Sequence, residues 1–311
     1  MRRSSSAGVP SKSTSSTGSS SAHEASLATP EGTRSVLRQF GIRPVKRWGQ
    51  HFLVSQRVLD RLLESAALSS LDSVLEVGAG IGTLTVAVAQ RAGRVTAIEV
   101  DLRLLPPLTA AAAPYSNIQI VAGDILKKKD LAALFGGPAG SPRKVVANLP
   151  YSIAAPVLLR LLDPALRIVR LVVMVQREVA ERITAAPGTD AYGRLSVAVR
   201  YWATPRIVSR VSPGAFLPAP DVESAIVEIA PSAGPRVVVP DEEEFFRIVA
   251  AGFGHRRKTL LNALAHGLGA ATREIEAACA SAGVDARARA ETLGLGEFAA
   301  LAQALHPLRR S

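Results

Sequence analysis

Three glycines at alternate positions, Gly78, Gly80 and Gly82, follow a short apolar run at residues 74–77 and precede a helical pattern. Glycine is needed where a ligand must lie directly against the backbone. A dinucleotide-binding fingerprint would place its third glycine at position 83, which is Thr83. The turn therefore predicts a ligand site whose spacing disfavours NAD or FAD, although a NAD-dependent oxidoreductase stays open as an alternative.

Two carboxylates follow the next two apolar runs. Glu99 ends one of them, 21 residues after Gly78, and Asp124 follows Gly123 after the other. At the carboxyl ends of neighbouring strands, Glu99 can accept hydrogen bonds from ribose hydroxyls, and Asp124 can meet the edge of an adenine. The glycine turn has no lysine and is not a phosphate-binding loop. These features predict a nucleoside cofactor without phosphates, a description that fits S-adenosylmethionine.

A fourth apolar run ends in Asn148, Leu149, Pro150 and Tyr151. An exocyclic adenine amine is a poor nucleophile, because its lone pair is delocalised into the ring. The side-chain carbonyl of Asn148, with the backbone carbonyl of Leu149 or Pro150, could accept both amine hydrogens and hold the nitrogen in line with a methyl donor. Tyr151 offers a ring for a base removed from its stack. We interpret these four residues as the catalytic loop.

Apolar runs alternate with helical patterns from residue 73 onward, which predicts a parallel, doubly wound, Rossmann-like α/β sheet. Two late runs should pair antiparallel at the sheet edge, and a wholly helical region should follow a Pro- and Gly-rich linker at 231–240. Predicted strands cover residues 74–77, 95–100, 118–121, 144–147, 168–176, 206–211 and 222–229; predicted helices cover 83–92, 242–253, 257–266, 273–282 and 297–305. We expect a disordered Ser-rich tail over 1–33, a cofactor-binding domain over 34–235 and a small all-helical domain over 236–311.

The charge of the chain favours a polyanionic partner. Lys and Arg number 37 against 26 Asp and Glu, giving a net charge of +11. Residues 34–57 carry six cations, among them Arg43, Lys46 and Arg47, and no carboxylate, which is typical of a segment that tracks phosphates. The single cysteine, the absence of zinc-ligand spacing and the absence of a long apolar run predict a cytoplasmic protein without a metal and without a membrane span.

Seven segments, in unbroken order over about residues 35–305, closely resemble the small-subunit (16S) ribosomal RNA adenine N6,N6-dimethyltransferases. They are residues 46–53, 74–85, 97–101, 123–124, 148–151, 216–227 and 253–264. The resemblance implies a class I S-adenosylmethionine-dependent methyltransferase sheet with a C-terminal helical domain. It also implies transfer of two methyl groups to N6 of each of two adjacent adenosines in the 3′-terminal hairpin of 16S rRNA, within the assembling 30S subunit. We expect a monomer.

The resemblance also implies roles for single residues. The cofactor would be bound by His51, Leu53, Gly78, Gly80, Glu99, Asp124 and Asn148. Tyr151 and Phe216 would hold the flipped adenine between their rings. Arg256, Arg257 and Lys258, which we predict to open a helix, would contact the RNA backbone together with Arg43, Lys46 and Arg47. Many relatives have asparagine where this chain has His51.

Two further functions remain open at this point. A 23S rRNA adenine dimethyltransferase of the macrolide-resistance type would share the same cavity. An RNA-binding assembly factor that acts mainly by occupying the subunit would need the basic surfaces more than the catalytic loop.

Overall fold

A computed structural model of the protein describes residues 26–45, 49–136, 138, 140–255 and 257–306. Lys46, Arg47 and Arg256, three of the predicted RNA contacts, lie outside these residues, as does most of the predicted tail.

A seven-stranded mixed sheet forms the centre of the fold. Its strands are β2 (Ser73–Val77), β3 (Arg94–Glu99), β4 (Ile118–Ala122), β5 (Arg143–Asn148), β6 (Ile168–Gln176), β7 (Ala203–Val211) and β9 (Ser224–Pro231), in the order β4-β3-β2-β5-β6-β9-β7. The first five strands of that order are parallel, and β9 pairs antiparallel with β6 and β7. After β4 the chain crosses over to β5, so that β3 and β5 lie on opposite sides of β2. The glycine turn after β2 therefore lies at the point where a doubly wound sheet binds ligands.

The predicted Rossmann-like sheet is confirmed, including the two antiparallel strands at its edge, with strand and helix ends shifted by up to three residues. The central strands are buried, as in Leu171 to Val175 of β6, which are fully covered, whereas the edge strands β4 and β7 are partly exposed. Helices flank the sheet: α1 (Pro30–Gln39), α2 (Gln56–Ala66), α3 (Thr83–Ala89), α4 (Leu105–Ala112), α5 (Ala154–Leu161), α6 (Arg177–Thr184) and α7 (Arg194–Trp202). Only α3 among them was predicted from the apolar pattern.

The first helix corrects the predicted tail. Residues 30–33 are helical, because α1 begins at Pro30 and the Thr29 hydroxyl accepts a hydrogen bond from the Gly32 amide at 3.1 Å. The buried side chain of Leu37 packs this helix against Ile42 and Phe52. A proline at the first helical position and a Thr cap outweigh the serine-rich composition that precedes them.

Four helices form the C-terminal region, α8 (Glu242–Phe253), α9 (Leu260–Leu268), α10 (Thr272–Ala282) and α11 (Leu295–Leu305). Their core continues into the preceding region, where the Tyr201 ring of α7 stacks on Phe245 with 4.9 Å between ring centroids. The boundary near residue 235 therefore stays a prediction about separate folding. Within the described ranges, every helix falls short of the length and apolar character needed to cross a membrane.

A separate two-stranded sheet joins distant parts of the chain. β1 (Phe52–Leu53) pairs antiparallel with β8 (Phe216–Leu217), with Leu53 opposite Phe216. This pairing carries the segment at residues 49–53 across the carboxyl edge of the main sheet.

Candidate active site

A cavity of about 330 Å³ lies at the carboxyl ends of β2, β3, β4 and β5. Ten of the predicted site residues line it: His51, Leu53, Gly78, Gly80, Glu99, Asp124, Asn148, Leu149, Pro150 and Tyr151. Because carboxyl ends of parallel strands share one edge, four separate sequence motifs meet in this single cavity.

The glycine turn shapes one wall of this cavity. Gly78 has φ +78°, and a Cβ built there would stand 3.2 Å from Cδ of Pro150. Gly80 has φ +61°, and its Cβ would lie 3.4 Å from the Phe52 ring. Side chains at these two positions would be strained and would fill the space between the turn and its neighbours. The absence of side chains leaves backbone exposed to a ligand, as a nucleoside cofactor requires.

Glu99 is 5% exposed, and backbone amides fix its carboxylate. Oε2 accepts from the Gly80 amide at 2.8 Å, and Oε1 accepts from Val100 and Asp101 at 2.9 Å each. Burial raises the pKa of Glu99, and these three hydrogen bonds oppose the rise. A carboxylate has about four acceptor positions, so three are used and about one is left for a hydroxyl in the cavity.

Asp124, which follows β4, both caps a short turn and lines the cavity. Its Oδ1 accepts from the Leu126 amide at 2.9 Å and so caps a short 3₁₀ turn at Ile125–Lys127. The residue is half-buried and lines the cavity beside Gly123. The cap fixes the carboxylate beside the position at which an adenine edge would be read.

The loop after β5 places a side-chain carbonyl at the opposite wall. Asn148 Nδ2 donates to the His51 carbonyl at 3.2 Å, which orients the amide and assigns Oδ1 as its acceptor end. The Pro150 carbonyl already accepts from the Ile153 amide at 3.1 Å, which favours the Leu149 carbonyl as the second acceptor for an amine. Pro150 packs against the glycine turn. The two acceptors are thereby held beside the cofactor cavity.

His51 and Tyr151 separate this cavity from a second one of about 420 Å³. Their rings are stacked, with centroids 5.5 Å apart and planes inclined by 26°. The Tyr151 hydroxyl is 2.7 Å from Ser224 Oγ, and His51 Nδ1 lies 2.8 Å from the Pro218 carbonyl. The second cavity continues to Gln176 and to residues 220–222. It offers an approach to the catalytic loop from the side opposite the glycine turn.

Gln50 is a site residue that the sequence analysis missed. It lines the cavity, and its Nε2 donates to Asp101 Oδ2 at 2.7 Å while its Oε1 accepts from the Val45 amide at 2.9 Å. Hydrogen bonding to Arg103 lowers the pKa of Asp101, so Asp101 is a charged acceptor for Gln50. The only signal in the sequence was its place next to the predicted contact His51, within the segment 46–53 that carries the family resemblance.

Comparisons with known proteins match this arrangement over most of the chain. Residues 43–306 match the family model of the ribosomal RNA adenine dimethylases. The chain belongs to the ribosomal RNA adenine dimethylase family. It is 43% identical over 289 residues to ribosomal RNA small subunit methyltransferase A of Geobacillus thermodenitrificans, covering 91% of this chain and 98% of that one. The corresponding protein of Pelotomaculum thermopropionicum is 44% identical over 284 residues, with coverage of 89% and 96%.

Two solved structures share the overall fold of this dimethylase. A dimethyladenosine transferase from Plasmodium falciparum has a TM-score of 0.66 and 25% identity, covering 82% of this chain and 97% of its own. The 23S rRNA methyltransferase ErmE has a TM-score of 0.61 and 27% identity, covering 82% and 99%. Family membership confirms the predicted fold class, the enzyme class and S-adenosylmethionine as the cofactor. The side-chain-free wall at Gly78 and Gly80, facing Glu99, fits that cofactor.

Phe216 is buried in this structure, and its predicted stacking on the target base stays a prediction. We predicted that a stiff, Pro-rich loop presents its ring to the target base, but the residue is 3% exposed and does not line either cavity described above. The ring packs among Leu53, Ala215 and Ile226 in the core beneath β1. Pairing with β1 turns the residue inward, so Tyr151 and His51 are the rings that face the second cavity.

Replacing Phe216 by leucine should therefore act on folding. We expect the free energy of unfolding to fall by about 1 kcal/mol, because a smaller apolar side chain leaves the packing incomplete. Denaturant unfolding measures that loss, and calorimetry of S-adenosylmethionine binding should show unchanged affinity. A variant of unaltered stability that binds RNA but methylates it poorly would contradict this expectation and support the stacking role.

The predicted RNA-contacting cations that the structure describes lie at the surface. Arg43 is exposed in the segment that precedes β1, and Arg257 and Lys258 are exposed in the turn before α9. The prediction that the latter pair opens a helix is wrong, because α9 begins at Leu260 with Thr259 as its N-cap residue. The Lys258 amide donates to the His255 carbonyl at 2.9 Å within that turn.

Proposed function

We propose that this protein dimethylates N6 of two adjacent adenosines in the 3′-terminal hairpin of 16S rRNA, with S-adenosylmethionine as methyl donor. The observation that carries the proposal is the loop from Asn148 to Tyr151. It stands between a nucleoside-sized cavity and a second cavity open to an incoming base. The names of the relatives support RNA of the small ribosomal subunit as the substrate.

When bound, S-adenosylmethionine supplies a methyl group activated by its sulfonium. Asn148 Oδ1 and the Leu149 carbonyl accept the two hydrogens of the adenine amine, which orients the nitrogen lone pair toward the cofactor cavity. These two acceptors would hold the nitrogen in place as it becomes pyramidal during methyl transfer. Acceptors held in place before the reaction lower the barrier, because they need no reorganisation when charge develops.

One proton must leave the nitrogen in each transfer. Because the product ammonium-like nitrogen is acidic, the proton passes to water through the second cavity. The Tyr151 hydroxyl is held by Ser224, and burial raises its pKa, so it stays a neutral hydroxyl whose ring supports the base. The catalytic loop thus acts by positioning rather than by strong base catalysis.

RNA binding is assigned to the cations outside the cavities. Arg257 and Lys258 of the helical region and Arg43 of the N-terminal segment are exposed and available to phosphates. The predicted contacts Lys46, Arg47 and Arg256 complete this proposal from the sequence. Two basic surfaces on different parts of the chain suit a folded RNA better than a short single strand.

Neutralising the pair Arg257 and Lys258 should flatten the salt dependence of RNA binding. Each lost phosphate contact removes roughly 0.7 to 0.9 from the slope of log affinity against log salt, so the double glutamine variant should lose about 1.5. Filter binding to small-subunit particles at several salt concentrations measures the slope. A matched double variant of the exposed residues Arg61 and Arg91 should keep the wild-type slope. Equal slopes in all three proteins would remove the pair from the interface.

The setting of the reaction is part of the same proposal. We place the protein as a monomer in the cytoplasm, acting on the 30S subunit during its assembly. The expected reaction on small-subunit RNA and the single cysteine, Cys279, support that placement. The division into a methyltransferase domain up to residue 235 and an RNA-binding helical domain after it follows from the linker composition.

The function is tested by mapping dimethyladenosine in ribosomal RNA of cells that lack the protein. We expect the two modified adenosines to be missing from 16S rRNA and to return when the wild-type gene is restored. Loss of the modification from 23S rRNA instead would favour the second candidate, for which the similarity to ErmE speaks. Unchanged modification with defective subunits would favour an assembly factor.

A further inference from the structure

Glu76 is a buried carboxyl that the reaction described above does not use. It lies in β2, two residues before Gly78, is 1% exposed, and lines the cofactor cavity. Its Oε2 has no hydrogen-bond partner among the described residues, whereas Glu99, on the neighbouring strand, receives three backbone amides. Burying a carboxyl oxygen without a hydrogen-bond partner is energetically unfavourable. We therefore expect a bound ligand to supply the missing partner of this oxygen.

A second polar atom at the same end of the cavity is also incomplete. Thr83 opens α3 and lines the cavity, and its buried Oγ1 has no partner within the described ranges. Glu76 and Thr83 stand on either side of the glycine turn. S-adenosylmethionine carries two positive charges, the ammonium of its methionyl part and the sulfonium, and either can face a carboxylate at this end of the cavity.

We propose that Glu76 holds a proton while the cavity is empty of cofactor and releases it when the cofactor binds, so that a carboxylate then faces the cofactor's positive charge. The O–H bond of the neutral acid breaks, the proton passes to the buffer, and the electron pair stays on the carboxylate. The inference depends on the cofactor occupying this cavity.

The surroundings of Glu76 favour the neutral acid before binding. Burial raises the pKa of Glu76 to about 8, the Thr85 side chain on α3 opposes the rise as a hydrogen-bond donor, and the nearby Glu99 carboxylate on β3 adds to it. On β5, Lys144 is held at the opposite end of the strand, 2.9 Å from Asp72 Oδ2. α3 carries no titratable side chain between Thr83 and Ala89. No cation of these neighbouring elements therefore offsets the cost of charging Glu76. A cationic ligand that enters the cavity would offset that cost.

Proton release can be counted by titration calorimetry at pH 7 in two buffers of different ionisation enthalpy. With a pKa of about 8 before binding, about 0.9 proton per site should be released by Glu76. Glu76→Gln keeps the shape and removes the titration, so the difference between wild type and variant should be about 0.9 proton. Glu228→Gln, which changes a buried carboxyl on β9 outside this cavity, should release as many protons as wild type.

S-adenosylmethionine and S-adenosylhomocysteine distinguish the two positive charges. Release with both ligands assigns the ammonium as the partner of Glu76, and release with S-adenosylmethionine alone assigns the sulfonium. Equal proton counts in wild type and Glu76→Gln would overturn the proposal. Failure of the wild-type protein to bind either ligand would overturn the cofactor assignment as well, whereas binding without a difference overturns only the role of Glu76.

A second measurement does not require that the variant bind the cofactor. A carboxyl whose pKa is raised by folding stabilises the protein below its unfolded pKa, and this stabilisation is lost as pH rises toward 8. Between pH 5 and pH 8, without cofactor, the thermal midpoint of wild type should therefore fall relative to that of Glu76→Gln. Saturating cofactor should reduce the fall in wild type. Parallel pH profiles without cofactor would show that Glu76 is already charged and would overturn the proposal.

Discussion

Replacing Asn148 by alanine should lower methyl transfer by two to three orders of magnitude and change RNA binding by no more than a few fold. The lost acceptor is needed chiefly as the amine nitrogen becomes pyramidal, so the change affects the transition state more than the bound ground state. A loss of that size corresponds to about 3 to 4 kcal/mol of transition-state stabilisation. Tritium transfer from labelled cofactor to small-subunit particles, with particle binding measured beside it, separates the two effects.

Gln119→Ala is the matched control, because it removes an exposed side-chain amide from β4 outside the cavity. Its turnover should equal that of wild type. The alanine variant at position 148 also loses the 3.2 Å hydrogen bond to the His51 carbonyl, so its thermal unfolding is measured in parallel. Wild-type turnover in Asn148→Ala would mean that the loop only connects a strand to a helix.

Replacing Glu99 by alanine should weaken S-adenosylmethionine binding by about 1.5 to 3 kcal/mol, roughly 10- to 150-fold in the dissociation constant. The loss follows from removing a charged acceptor for a ribose hydroxyl and from freeing the three amides that it holds. Burial raises the pKa of Glu99, so this carboxylate takes up a proton at a higher pH than an ordinary glutamate does. As the pH is lowered, the affinity of wild type for the cofactor should therefore begin to fall earlier.

Titration calorimetry measures both effects of Glu99. Glu64→Ala removes an exposed carboxylate from α2 and should leave the affinity and its pH dependence as in wild type. An unchanged dissociation constant for Glu99→Ala in a folded protein would remove this residue from the cofactor site.

The cavity residues that could be predicted from the sequence are those whose position follows from the strand that carries them. Glu99 and Asn148 end apolar runs and Asp124 closely follows one, and parallel pairing alone brings such ends to one edge. Gln50 could not be found in this way, because its partner Asp101 is 51 positions away and is reached only through the folded path of the N-terminal segment.

Phe216 shows the limit of reasoning from a short motif. β8 has two residues, too few for an alternating pattern, and the direction of its side chains is set by pairing with β1. The start of α9 was misplaced for a related reason. Arg257 and Lys258 are good helix formers, but the turn that holds them is fixed by the His255 carbonyl and by packing around Leu260.

The pairing of β1 with β8 has a consequence for how the enzyme matures. The His51 ring and the Pro218 carbonyl that it contacts are 167 positions apart in the chain, so one wall of the cofactor cavity is completed only when the polypeptide has been synthesised past β8. Closing so long a loop is entropically costly and comes after local contacts have formed. A nascent chain therefore acquires its affinity for cofactor late, and saturation with cofactor should favour the folded form of the newly made protein and protect it from proteolysis.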